Sequence, residues 1–220
     1  MLWLSLIQFI VALTNAIYFC VLYKKAKLVP LPLVLFCVAD AITAPFNLWI
    51  DIKGSTVSIY TGMVVSWFFT IAEIILLPSF LSNLISKKYN PTLPLIIAVA
   101  IPISLKYIFK AVDFDLSLNY LLSGVLISYH CYRVVVYELF PNSVNKQIRA
   151  TNYMFVYGIM ICYISSIPFS IGLVAHLLST NLYKIHVDSH WVEPAFLIAN
   201  IIQHIFFFIP FRWNLQRQPL

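Results

Sequence analysis

Asp40 and Glu73 are carboxylic acids set near the middle of long apolar runs, residues 31–50 and 59–85, and each is followed five residues later by a proline, Pro45 and Pro78. An ionisable side chain at bilayer mid-depth costs roughly 3 kcal/mol or more, so it is normally kept for a partner, a pathway or a ligand. His130 and His204 fall at similar depth in later apolar runs, as do Asn15, Asn200, Gln203 and the pair Ser165 and Ser166. Carboxyls and imidazoles are the groups that acid–base chemistry and metal binding draw on. Asn200, Gln203 and His204 follow i, i+3, i+4 spacing and share one helical face. The candidate ligand-binding residues are therefore Asp40, Glu73, His130, Asn200 and His204.

Prolines sharpen this layer. Pro45 and Pro78 have no N–H to offer the carbonyls of Ala41 and Ile74, each the residue just after a carboxylate. Pro168 and Pro102 free the carbonyls of Ile164 and Ala98 in the same way. Freed carbonyls beside buried acids are one means of lining a cavity. Interhelical polar contacts are also common in membrane bundles, so Asn15, Ser165, Ser166, Asn200 and Gln203 read first as links between helices. Arg133, about one turn deeper than His130, reads as a snorkelling arginine or as a partner for Glu73.

A metal-dependent intramembrane hydrolase needs about three converging ligands and an open position for water. Asp40, Glu73, His130 and His204 could supply them, yet no two form a helical ligand pair. The chain also lacks the His-x-x-x-His of the seven-helix zinc hydrolases that resemble alkaline ceramidases and adiponectin receptors. No lysine lies within residues 191–211, which removes the Schiff-base site of a retinal protein. Buried acids and histidines permit proton or solute transport, but the three-helix repeat and Pro-Gln signature of small seven-helix sugar transporters are missing. Residues 27–32 followed by Asp40 are faintly similar to lysoplasmalogenase-like enzymes, without their Gly-Asp context.

The elements that must position these residues follow from composition. The 220 residues are 61% hydrophobic and 10% charged, against about a quarter charged in a soluble domain. Lipid must be the solvent for much of this surface. Apolar runs predict seven helices over about residues 2–23, 29–50, 58–85, 93–109, 116–140, 151–178 and 191–211, forming a single transmembrane domain. The basic residues of loops one, three and five and of the tail (Lys24, Lys25, Lys27, Lys87, Lys88, Lys146, Arg149, Arg212 and Arg217) outnumber Lys53, Lys106, Lys110 and Lys184 on the other side. The N-terminus is then expected outside and the C-terminus in the cytoplasm. Asp51, Asp113, Asp115, Asp188 and Glu193 all lie on the outer side.

The net charge of +6 thus describes an inner face drawn to anionic lipid rather than a nucleic-acid surface. The first helix reads as an anchor, not a cleavable signal, because its basic flank follows the apolar run. The four cysteines, Cys20, Cys37, Cys131 and Cys162, lie inside helices and are expected to be free. Trp3, Trp49, Trp191 and Trp213 sit at helix ends, where an aromatic belt belongs.

Residues 68–77 (FFTIAEIILL), 157–166 (YGIMICYISS) and 200–204 (NIIQH) give the chain a resemblance to small seven-helix membrane proteins of Bacteroidota-type bacteria. Some of these stand beside, or are fused to, signalling proteins, so the resemblance implies a sensory role in a bacterial inner membrane and brings no established activity. The expectation is an all-α, polytopic seven-helix bundle whose helices two, three and six surround a polar centre. Its expected function is receptor-like or accessory: a small or lipid ligand binds near Asp40 and Glu73, and a helix shift reaches a separate signalling protein at the cytoplasmic face. The alternatives are a membrane-embedded lipid hydrolase using Asp40, Glu73, His130 and His204, and a proton or solute transporter. No cofactor is specified by the sequence.

Overall fold

A chain that cannot lend its backbone N–H and C=O groups to water must satisfy them within each segment, and long runs of Leu, Ile, Phe and Ala do so as helices. In the computed structural model, described over residues 2–26, 29–53, 59–85, 87–109, 114–139, 150–183 and 192–215, the chain folds into seven helices, with no strand among the described residues. They are α1 (Leu2–Ala26), α2 (Leu31–Lys53), α3 (Ile59–Leu84), α4 (Thr92–Phe109), α5 (Phe114–Leu139), α6 (Ala150–Tyr183) and α7 (Val192–Leu215). The expected seven helices are present, α6 and α7 running about a turn further than the apolar pattern alone indicates. Leu2–Lys24, Val64–Leu84 and Met154–Gly172 are long and apolar enough to cross a membrane, and Leu31–Phe46, Leu121–Tyr137 and Leu197–Ile209 are shorter apolar stretches. Lys25, Lys27, Asp113, Lys146, Arg149, Lys184, Asp188, Trp191 and Arg217, used above to orient the chain or to mark its aromatic belt, lie outside the residues or side chains described, as do the side chains of Asp51, Lys53, Lys106, Lys110, Asp115, Glu193, Arg212 and Trp213.

Helix ends are set by local chemistry. The Pro30 carbonyl accepts from the amides of Leu33 and Val34 at 3.0 and 3.2 Å, while Pro32 occupies a first-turn position that needs no donor. α3 closes with the Lys87 amide on the Ser82 carbonyl at 2.9 Å. Asn90 Oδ1 accepts from the Thr92 amide at 3.0 Å, with Pro91 between them, an N-cap followed by proline at the first helical position. Pro45, Pro78 and Pro168 lie within α2, α3 and α6, and each helix continues past its proline.

Six helices close a ring through the neighbour pairs α1–α2, α2–α3, α3–α5, α5–α6, α6–α7 and α7–α1; α4 packs outside it, mainly on α5. Side-chain pairs give the directions. Gln8 meets Asn200 and Asn15 meets His204, so α1 and α7 run parallel. Glu73 meets Tyr163 and Phe80 meets Phe155, so α3 and α6 run antiparallel. Gly158 faces Gln203 and Phe206 of antiparallel α7; a Cβ there would stand 2.7 Å from the Phe206 Cβ and 3.2 Å from the Gln203 carbonyl oxygen. Absence of a side chain at Gly158 is what lets α6 and α7 approach this closely.

The surface and interior are inverted relative to a water-soluble protein. Trp3 (75% exposed), Val64 (69%), Leu93 (66%) and Ile17 (59%) face outward, whereas Asn15, Asp40, Glu73, His130, Gln203 and His204 are buried. Beside the polar residues lies an aromatic plug. Phe19, Phe80, Phe155 and Phe207 are fully buried, with ring centroids 5.7–6.2 Å apart in the Phe19–Phe155, Phe19–Phe207, Phe80–Phe155 and Phe155–Phe207 pairs. Each lies one to two turns beyond Asn15, Glu73 or His204 towards the C-terminal ends of α1, α3 and α7, Phe155 matching that level on antiparallel α6.

Candidate functional site

The polar interior resolves into three linked pairs rather than one constellation. The first joins α1, α2 and α7. His204 Nε2 is hydrogen-bonded to Asp40 Oδ2, and its Nδ1 lies 2.6 Å from Asn15 Nδ2. The same Asn15 nitrogen donates to the His204 backbone carbonyl at 3.2 Å. A carbonyl can only accept, so this atom must be the amide NH2 and Nδ1 must be an acceptor. The imidazole is thereby the uncharged Nε2–H tautomer, donating to Asp40. Gln8 Nε2 donates to Asn200 Oδ1 at 3.3 Å and extends the α1–α7 seam. Thr43 donates to the backbone carbonyl of Asp40 at 3.1 Å.

The second pair joins α3 and α6, where the Tyr163 hydroxyl donates to Glu73 Oε1. Ser123 of α5 flanks the same carboxyl, and Asp40 lies close enough for the two acids to interact electrostatically. The third lies between α3 and α5: Ser82 Oγ is 3.2 Å from His130 Nδ1. Tyr89, from the α3–α4 connection, sets its ring edge-on to His130 at 5.1 Å and donates its hydroxyl to the Ile74 carbonyl at 2.8 Å. That carbonyl is the one Pro78 leaves without a helical donor. Burial pushes the Tyr89 phenol up to about 12, so it stays a donor across the physiological range.

Of the residues singled out from sequence, Asp40 and His204 are in direct contact, Asn200 lies along the same α1–α7 seam, and Glu73 and His130 take other partners. Arg133 is half-buried with its guanidinium 5.8 Å from the Tyr129 ring, whereas Glu73 pairs with Tyr163. Ser165 and Ser166 turn back on their own helix, Ser165 to Cys162 at 3.1 Å and Ser166 to Tyr163 at 2.8 Å. Their bonds are local ones, and the α6 side chain that reaches Glu73 is Tyr163. Sequence reasoning missed Tyr163, Ser82 and Tyr89. A signal existed for Tyr163: tyrosine favours the ends of apolar helices, and this one sits mid-helix, five residues before Pro168.

Several buried polar atoms have no hydrogen bond: Gln8 Oε1, Asn15 Oδ1, Glu73 Oε2, both amide atoms of Gln203, and the hydroxyls of Thr70, Ser128 and Ser170. Burial without a partner costs about 1–3 kcal/mol per group, so such atoms point to water or a ligand. Among the described residues no three His, Cys, Asp or Glu side chains are gathered as metal ligands. Cys20, Cys37, Cys131 and Cys162 are free thiols. Comparison with protein-family models, curated proteins and solved structures gives no match to this chain.

Proposed function

We propose that this chain is a seven-crossing integral membrane protein with its N-terminus outside, acting as a receptor-like or accessory subunit of a bacterial inner membrane. A small ligand, or the headgroup of a lipid, binds in the polar interior beside Asp40, Glu73 and His204. A separate signalling protein reads helix shifts at the cytoplasmic face. The observation that carries the reading is the set of buried polar atoms left without partners, Glu73 Oε2 among them, inside a molecule whose exterior is apolar. The apolar exterior supports the membrane, and the parallel run of α1 and α7 fits an odd number of crossings.

The same geometry weighs on the alternatives. Hydrolysis at a metal needs converging ligands, but Asp40 and His204, Glu73, and His130 are spread over three pairs. Transport needs a path, and Phe19, Phe80, Phe155 and Phe207 fill the interior on one side of the acids. The α3–α4 connection offers a route for a signal. Tyr89 ties the exposed Lys87 and Lys88 to the carbonyl next to Glu73, so displacement of α3 moves this basic loop.

Native mass spectrometry with metal analysis on the detergent-purified protein, beside an Asp40→Asn, Glu73→Gln double variant, tests the proposal. A retained small molecule or lipid lost in the variant is the expected result. Stoichiometric zinc or iron lost in the variant would move the assignment to the hydrolase. Nothing bound, with an equally stable variant, would refute ligand binding. A cysteine at Lys88 labelled only from the cytoplasmic side checks the orientation.

A further inference from the structure

On the outside of the ring, one surface departs from the apolar rule. It lies where the α3–α4 connection crosses α5. Ser82 of α3 meets His130 of α5 at 3.2 Å, and the Lys87 amide returns to the Ser82 carbonyl at 2.9 Å, so the chain leaves α3 beside His130. Tyr89 then sets its ring edge-on to His130 at 5.1 Å, and Asn90 caps α4, which packs back along α5. Lys87 and Lys88, both exposed, therefore stand next to the α5 turn that runs from Tyr129 to Arg133. On that turn Tyr129 and Tyr132 are 55% and 63% exposed. The half-buried Arg133 holds its guanidinium 5.8 Å from the Tyr129 ring, and the Tyr129 ring is 5.6 Å from His130. Contacts thus run unbroken from the connection to the guanidinium, through Tyr89, His130 and Tyr129.

The chemistry of this notch is one-sided. Lysine and arginine only donate, and phenols can donate as well. The positive end of the α4 dipole opens on the same connection. Among the described side chains the acids are Asp40 and Glu73, and both are buried inside the ring. The complement of such a surface is an oxyanion. Val125, Tyr129 and Arg133 follow i, i+4, i+8 spacing on one face of α5, and Val125 is 52% exposed. That face passes from cationic through aromatic to apolar, the order in which a phospholipid presents its phosphate, glycerol and acyl chain. A soluble anion has nothing to lay against Val125, so the gradient selects a lipid. Basic pockets between membrane helices hold anionic headgroups in this way.

We propose that Lys87, Lys88, Tyr129, Tyr132 and Arg133 bind the headgroup phosphate of one anionic phospholipid, whose acyl chain lies along α5 at Val125. The site is separate from the polar interior. It rests on the reading of the chain as a membrane protein and needs no interior ligand.

The test titrates the purified full chain in detergent with dioleoyl phosphatidylglycerol and, separately, with dioleoyl phosphatidylcholine, counting retained lipid by native mass spectrometry. The expected result is one phosphatidylglycerol at saturation, held about tenfold more tightly than phosphatidylcholine. Arg133→Gln should weaken it about fivefold, and Arg133→Gln with Lys88→Gln about 25-fold. Lys24→Gln removes an exposed charge from α1, which stands opposite α5 in the ring, and should change the affinity by less than about twofold. Equal affinities of the unaltered protein for the two lipids would overturn the proposal, and this arm needs no variant to fold. An equal loss in Lys24→Gln would overturn it in favour of diffuse charge. A lipid-free dimer that Arg133→Gln abolishes would give the face to a second copy, and polyglutamate bound as tightly as phosphatidylglycerol would give it to an acidic protein segment; either overturns the lipid. A chain that stays dispersed after detergent removal would overturn the membrane reading and this proposal together. Equal lipid affinities in a chain that needs detergent would overturn this proposal alone.

Discussion

Replacing Tyr89 with phenylalanine removes one oxygen and keeps the ring against His130, so it isolates the hydrogen bond to Ile74. Elsewhere in α3 a backbone carbonyl is bonded to the amide four residues on, and loss of a side-chain donor would leave it satisfied. At Ile74 the fourth residue on is Pro78, and the Tyr89 hydroxyl at 2.8 Å is the donor that replaces the missing amide. Orphaning a buried acceptor costs about 1–3 kcal/mol, and side-chain hydrogen bonds in membrane bundles average nearer 0.6. Tyr89→Phe should therefore cost about 1 kcal/mol. Pro78→Ala restores an N–H in helical register with the Ile74 carbonyl. In that background the Tyr89→Phe cost should fall to about 0.3 kcal/mol or less, a coupling of roughly 0.7. Equilibrium unfolding in mixed micelles of the four proteins in the cycle measures this. An equal Tyr89→Phe cost in both backgrounds would refute the argument that proline creates the need for tyrosine. The pH sign follows from the same contact. With the phenol raised from its ordinary 10 to about 12, its contribution is fully present below pH 10 and is lost as pH rises through about 12.

Further outcomes follow from the same contacts. His204→Ala leaves Asp40 without its buried donor and should cost about 3 kcal/mol, against about 1–2 for Asn15→Ala, read by the same unfolding assay. Tyr163→Phe takes the hydroxyl from Glu73 without opening a cavity and should lower stability by about 0.6–1.7 kcal/mol; a neutral result would mean that Ser123 alone suffices for Glu73. Gly158→Ala forces α6 and α7 apart, since its Cβ would stand 2.7 Å from Phe206, and should cost about 1–3 kcal/mol in melting experiments. Gly172→Ala meets nothing within 4 Å and should instead be stabilising by about 0.5–1 kcal/mol, serving as the control for helix propensity.

Much of the candidate site was legible residue by residue. Asp40, Glu73, His130, Gln203 and His204 stand out as polar groups inside apolar runs, and all five are buried. The need at Ile74 could also be read from Pro78, four residues on. What could not be read was who answers each need. Tyr89 lies fifteen residues from Ile74, beyond the end of the helix, and only the fold of the α3–α4 connection brings it back. Ser165 and Ser166 looked like the polar contribution of α6, yet short hydroxyl side chains reach their own helix carbonyls first, and the longer Tyr163 crosses to Glu73.

The sequence by itself determined that the chain is helical and that its described residues form seven helices, because the length and apolarity of a segment are local properties. It also determined which groups are costly to bury and therefore need partners. Tertiary structure alone decided that six helices close a ring with α4 outside, and that Asp40 pairs with His204 while Glu73 pairs with Tyr163. The physical reason is that hydrophobicity places a residue on a buried or an exposed face, but does not choose its neighbours. Those are chosen by close approach, as at Gly158 against α7, and by the few polar groups that must find one another where water cannot serve them.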